Sequence, residues 1–201
     1  MGVDYSICLY YELDRLEHTL VKLLEIAKFD RQVSTEIELS NGRKIFLPFT
    51  TNCQSKSVVL RSGWAGVSFD TTIVFPIDAA IQDYIREHHL QHLLDRARKK
   101  IAIGYIYLMI TAGTKYVELR FTAAVSSMSM LYLNSEAVRD RFIDFMDSTH
   151  GLCGVIDIEK SHYLSLIDPQ RKIYPISSEL ETEFYPYYDI DLFTIEVLNL
   201  I

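Results

Sequence analysis

The chain has 201 residues, 49% of them hydrophobic and 23% charged, with a net charge of −7. A domain of this length buries about 70% of the surface its unfolded form would expose, which excludes an intrinsically disordered chain and any need for disulfide or metal staples. The surplus of 27 acids over 20 bases announces no duplex-binding surface, and no apolar run approaches the roughly 20 residues of a membrane-spanning helix.

Cys8, Cys53 and Cys153 are odd in number and form no C-x-x-C pair, so neither a disulfide framework nor a zinc knuckle is predicted, and a reducing cytoplasm is the expected home. The opening MGVDYSICLYYELDR has no basic region ahead of Glu12 and Asp14, so it does not read as a secretory leader. Gly2 and Ser6 formally satisfy the myristoylation pattern, which is too short to predict an anchor unaided.

In chain order, residues 3–11 read as a strand, and Leu13, Leu16, Leu20, Leu23, Leu24 and Ala27 recur at helical spacing. Asp14 with Glu17 three residues on predicts a capping box at that helix's start. Asn41-Gly42 lies between two short alternating runs and predicts a hairpin, because both residues tolerate positive φ. A polar connection over 50–56 leads to a short strand at 58–61, a turn near Trp64 and a strand over 66–75. A second helix is predicted from Asp78, its N-cap, to about Arg98.

Residues 101–110 and 116–125 read as a second hairpin, in which Val117, Leu119, Phe121 and Ala123 share one face while Glu118, Arg120 and Thr122 share a face expected to be wet. A third helix is predicted from Asn134 or Ser135, with Gly151 as its C′ residue. Strands follow over 152–159 and 162–167, then a turn at Asp168-Pro169-Gln170 and a short strand over 171–176. The fold class is α+β: an antiparallel-rich sheet with three main helices packed on one face. The order strand, helix, strand, strand recurs over 4–48, 67–125 and 116–175, which suggests pseudo-repeated βαββ units. Residues 1–177 form the expected domain, and 178–201 an acidic, aromatic segment either docked on it or turned toward a partner.

Several constellations could carry chemistry. Ser126, Ser127 and Ser129 could line an anion site if backbone N–H groups at a helix start join them, although no Gly-rich loop or G-x-S-x-G elbow accompanies them. His88 and His92 have the i, i+4 spacing of two imidazoles on one metal, and equally the spacing of residues edging a core beside Ile81 and Ile85. His150 and Cys153 place an imidazole near a thiol, and Asp157 and Glu159 share a strand face that could neighbour Glu118 and Arg120. Arg96, Arg98, Lys99 and Lys100 form a basic run suited to a phosphate, an acidic partner or the protein's own acidic tail.

That tail holds six of the seven surplus charges, in Glu179, Glu181, Glu183, Asp189, Asp191 and Glu196, with no Lys or Arg. No catalytic signature stands above a structural explanation, so no catalytic residue and no cofactor are expected. The leading expectation is a non-enzymatic intracellular interaction protein of the inhibitor, adaptor or toxin-neutralising (immunity) kind. Its contacts would be Glu179, Glu181, Glu183, Tyr185, Tyr187, Tyr188, Asp189 and Asp191, and its partner another protein with a basic surface, not nucleic acid or membrane. The alternative is a small-molecule or anion-binding protein or hydrolase at the start of the third helix, and a metal protein using His88 and His92 is a further possibility.

Overall fold

The structure, a computed structural model, describes residues 4–28, 34–39, 42–51, 57–60, 64–159, 163–166, 174–175 and 190–200. Its central strand is β1 (Ser6–Glu12). Ile7, Leu9 and Tyr11 face one side while Cys8 and Tyr10 face the other, each within a buried cluster of its own. Because strand side chains alternate, one short apolar run thereby serves two cores.

Around β1 the described residues form a nine-stranded sheet. β4 (Thr50–Thr51), β6 (Trp64–Pro76), β8 (Lys100–Ala112) and β9 (Tyr116–Ala123) lie on one side of β1, and β10 (Cys153–Asp157), β11 (Tyr163–Ser165) and β12 (Tyr174–Pro175) on the other. Every pairing in it is antiparallel, and β7 (Leu94–Asp95) pairs on the end of β8. A second sheet joins β2 (Thr35–Glu38) to β3 (Lys44–Leu47) antiparallel and to β5 (Ser57–Val59) parallel. Gly42, with φ of 78°, occupies the tight connection expected between β2 and β3. The fold is therefore α+β and antiparallel-rich, as the sequence pattern implies.

Four helices share the face of Ile7, Leu9 and Tyr11: α1 (Leu16–Ile26), α2 (Ala79–Glu87), α3 (Ser126–Asn134) and α4 (Glu136–Ser148). A fifth, α5 (Ile190–Leu200), lies on the opposite face, where Phe193 and Val197 pack with Cys8, Tyr10, Cys153 and Val155. The expected βαββ order is present as β1, α1, β2 and β3, whereas β7 intervenes between α2 and β8, and two helices, α3 and α4, stand between β9 and β10. The hairpin after α1 leaves for the small sheet, whereas β8 and β9 after α2 stay in the large one.

Several local expectations need correction. The capping box at Asp14 does not form: a 3-10 turn over Leu13–Arg15 comes first, and α1 starts without a side-chain cap. The second helix ends at Glu87 instead of Arg98, because His89 takes a left-handed φ of 53° and Leu90 N donates to Ile85 O, closing the helix with a Schellman turn. The same closure ends α4 with His150 at C′ (φ 57°) and Gly151 one residue later, donating to Met146 O. Gly151 is nevertheless required, since a Cβ there would collide with Met146. Residues 126–134, ahead of the helix start expected at Asn134 or Ser135, form a helix of their own, α3. The face of Glu118 and Arg120 is not wet, because both are buried.

Asp78 ties two helices together. Its Oδ1 accepts from Ile81 N at 2.9 Å and caps α2, while Oδ2 accepts from Ser135 Oγ at 2.7 Å and Ala137 N at 3.1 Å. Ser135 in turn caps α4 by accepting from Val138 N. Partial burial opposes ionisation of Asp78, but the donated hydrogen bonds outweigh it and hold its pKa below the ordinary 3.8.

Candidate functional site

Among the described residues, two places gather charge from several elements. The first lies inside the sheet's α5 face, on three adjacent strands. Register places Cys8 of β1 opposite Arg120 of β9, and Tyr10 opposite Glu118, while β10 flanks β1 on its other side and carries Asp157. Arg120 donates to Glu118 Oε1 at 3.0 Å and to Asp157 Oδ2 at 2.9 Å, and Tyr10 Oη donates to the same Glu118 oxygen at 2.9 Å. The expected neighbourhood of Glu118, Arg120 and Asp157 is thus real, with β1 interposed. Glu159 stands apart, exposed and with φ of 60°.

Cys8 lies in this network with its thiol pKa pushed well up, chiefly by burial, which outweighs the attraction of Arg120. Cys153 is likewise buried, with its thiol pushed up to about 12. Thiols so raised are held as packing groups, since the reactive species is the thiolate. His150 is exposed at the end of α4.

The second place is a groove of about 430 Å³ between α2 and the β7–β8 hairpin. Ile77, Ile85 and Leu94 supply apolar lining, Gln82 and Gln91 supply amides, and Arg86, Arg96 and Lys99 supply three cations. The hairpin tip is Arg96-Ala97-Arg98-Lys99, fastened by Asp95 Oδ1 accepting from Arg98 N at 3.1 Å, with Lys99 in a left-handed φ of 51°. Arg86 pairs with Asp83 at 3.0 Å and Arg98 with Asp95 at 3.8 Å, both on the exposed surface. Among the described residues no carboxylate lies within ion-pairing distance of Arg96 or Lys99.

The other sequence-derived residues fall as follows. Ser129 is buried; its Oγ accepts from Tyr5 N at 3.0 Å, pinning α3 to the entry of β1. Ser126 and Ser127 open α3, whose N-cap position is Val125, without a side-chain cap. His88 caps the end of α2 with its ring 4.5 Å from that of Tyr84, and His92 is exposed in the 3-10 turn Gln91–Leu93, so the two no longer share one helix. Among the described residues no group of three or more His, Cys, Asp or Glu could hold a metal ion.

Glu179, Glu181, Glu183, Tyr185, Tyr187, Tyr188 and Asp189 lie outside the described residues. Asp191 is described, and its carboxylate is engaged within the chain. At the start of α5 it accepts from Thr114 N at 2.8 Å, Lys115 N at 3.0 Å, Tyr116 N at 2.9 Å and the Thr114 hydroxyl, capping the β8–β9 hairpin tip. Burial opposes its ionisation, yet these donors prevail and lower its pKa. Gly113 beside it has no room for a Cβ, which would strike the Asp191 carboxylate.

The groove is not legible in the sequence, because Gln82, Arg86 and Arg96 fall within one predicted helix whereas the chain turns after Glu87. A signal was present: Asp95-Arg96-Ala97-Arg98-Lys99-Lys100 has no apolar side chain larger than Ala, which suits a hairpin tip better than an amphipathic helix. Comparison of the chain with protein-family models, curated proteins and solved structures finds no match. Among the described residues no helix is long and apolar enough to cross a membrane.

Proposed function

We propose that the protein is a non-enzymatic interaction module of the inhibitor, adaptor or toxin-neutralising kind, working in the cytoplasm and presenting the acidic, aromatic segment ahead of α5 to a basic protein partner. The observation that carries this reading is the anchoring on either side of that segment. β12 ends at Pro175 within the sheet, and Asp191 locks the start of α5 to the β8–β9 tip. Between those anchors the sequence carries Glu179, Glu181, Glu183 and Asp189 with no Lys or Arg. A segment fastened at both ends loses less freedom when it meets a partner than a free tail does, while its charge steers the encounter.

Removing residues 178–201 would not test this, because Phe193 and Val197 belong to a buried cluster. The informative variant is Glu179→Gln/Glu181→Gln/Glu183→Gln. Affinity capture from cell extract followed by mass spectrometry should recover a basic protein with the wild type, in a salt-sensitive manner, and lose it with the triple variant. Recovery of the same partner by both proteins, or of none by the wild type, removes the reading.

A further inference from the structure

We infer that the groove between α2 and the β7–β8 hairpin is a binding site for a small organic phosphate with an apolar or aromatic body. This goes beyond the protein-interaction reading and does not depend on it. Three features of the groove converge on that chemistry. Its volume of about 430 Å³ falls in the range of pockets that enclose small organic ligands. Ile77, Ile85 and Leu94 would lie against a ring or hydrocarbon, and the Gln82 and Gln91 amides can both donate and accept toward its polar edge.

The third feature is charge. Arg96 and Lys99, together with Arg86, which already pairs with Asp83, border one groove from two separate elements, so an anion has several N–H donors along one volume. Arg96 and Lys99 have no ion-pair partner among the described residues. Lys99, moreover, occupies a left-handed backbone position that glycine adopts without penalty and an L side chain does not. The fold thus sets an ammonium at the groove's rim where a glycine would be the easier choice for the turn. Phosphate suits the arrangement better than a lone carboxylate, since it offers more acceptor oxygens to cations converging from different directions.

Isothermal titration calorimetry at low ionic strength with adenosine 5′-monophosphate, phenyl phosphate, inorganic phosphate and adenosine tests the inference directly. The two organic phosphates should give saturable heats, and inorganic phosphate and adenosine should each bind at least about tenfold more weakly, for want of the apolar body and of the anion respectively. Arg96→Gln and Lys99→Gln should each weaken the organic phosphates by about tenfold, while Lys28→Gln, away from the groove, should leave binding unchanged. Circular dichroism of each variant reports whether the fold is intact. The inference is overturned by the absence of saturable heat with either organic phosphate at millimolar concentration, by equal affinity for inorganic phosphate, or by binding that survives Arg96→Gln/Lys99→Gln. An acidic peptide that binds at the groove when the organic phosphates do not would reassign it to a protein partner.

Discussion

Arg120 and Arg96 carry the same guanidinium, yet one sits beneath α5 between Glu118 and Asp157 and the other stands at the rim of an open groove. The Arg120 side chain is 9% exposed, and two carboxylates answer it, one of which also accepts from the Tyr10 phenol. Around Arg96 the chain has gathered two further cations. A buried charge must be answered from within, because desolvation costs several kcal/mol per ion, whereas an exposed one can wait for an outside group at little cost. Charge density alone therefore does not mark a working surface. The marker is charge that the fold leaves unanswered.

Breaking the buried side of this contrast should have the largest effect. Arg120→Met leaves Glu118 and Asp157 without their cation and should lower unfolding free energy by about 3–5 kcal/mol in chemical denaturation. Adding Glu118→Gln and Asp157→Asn should recover much of the loss, because the remaining groups no longer carry uncompensated charge.

Asp78 lies between the extremes, half-buried and capping two helices. Asp78→Ala should cost about 2 kcal/mol, the upper end for a cap, since it removes acceptors from two helix starts. The carboxylates of Asp78 and Asp191 both have folded pKa values below 3.8. A depressed folded pKa means that protons bind the unfolded state more readily. The stabilisation is therefore fully present above about pH 4 and drains away as pH falls through the folded values. Asp78→Asn should flatten that acid limb in a stability–pH series, and an unchanged slope would show the carboxylate not to be held as described.

The Tyr132 hydroxyl is buried with no hydrogen-bond partner among the described residues, unlike that of Tyr10. Tyr132→Phe should accordingly stabilise by up to about 1 kcal/mol in the same assay, because it removes an unsatisfied polar atom. The smallest effect belongs to the groove. Arg96→Gln/Lys99→Gln should stay within about 0.5 kcal/mol of wild type, as exposed substitutions do. A larger loss would mean that these cations support the fold.

The elements that could be read in advance were those with a strong local signature. Asp78 and Ser135 cap helices as their residue types suggest, and Gly42 turns a hairpin. Failures occurred where tertiary contacts decide. His89 and His150 take left-handed positions that usually call for Gly or Asn, so two helix ends were misplaced. α3 eluded the pattern because its apolar residues do not settle on one face: Met128, Leu131 and Tyr132 are buried while Met130 is exposed. Glu118 and Arg120 look like solvent-facing residues in sequence, whereas the sheet face they share with Cys8 and Tyr10 is covered by α5, some 70 residues later in the chain. Of the candidate site, the basic run Arg96 to Lys100 was visible, but Arg86, Gln82 and the apolar lining were not joined to it, since that needs the turn after Glu87.

The placement of α5 bears on the order in which the molecule is made. α5 follows β1, β9 and β10 in the chain, so the sheet face it covers stays bare until this helix has been made. Cys8 and Cys153 share that buried cluster. Their alkylation rate in the native protein would then follow how often α5 lifts away, a gauge of how firmly that face is closed.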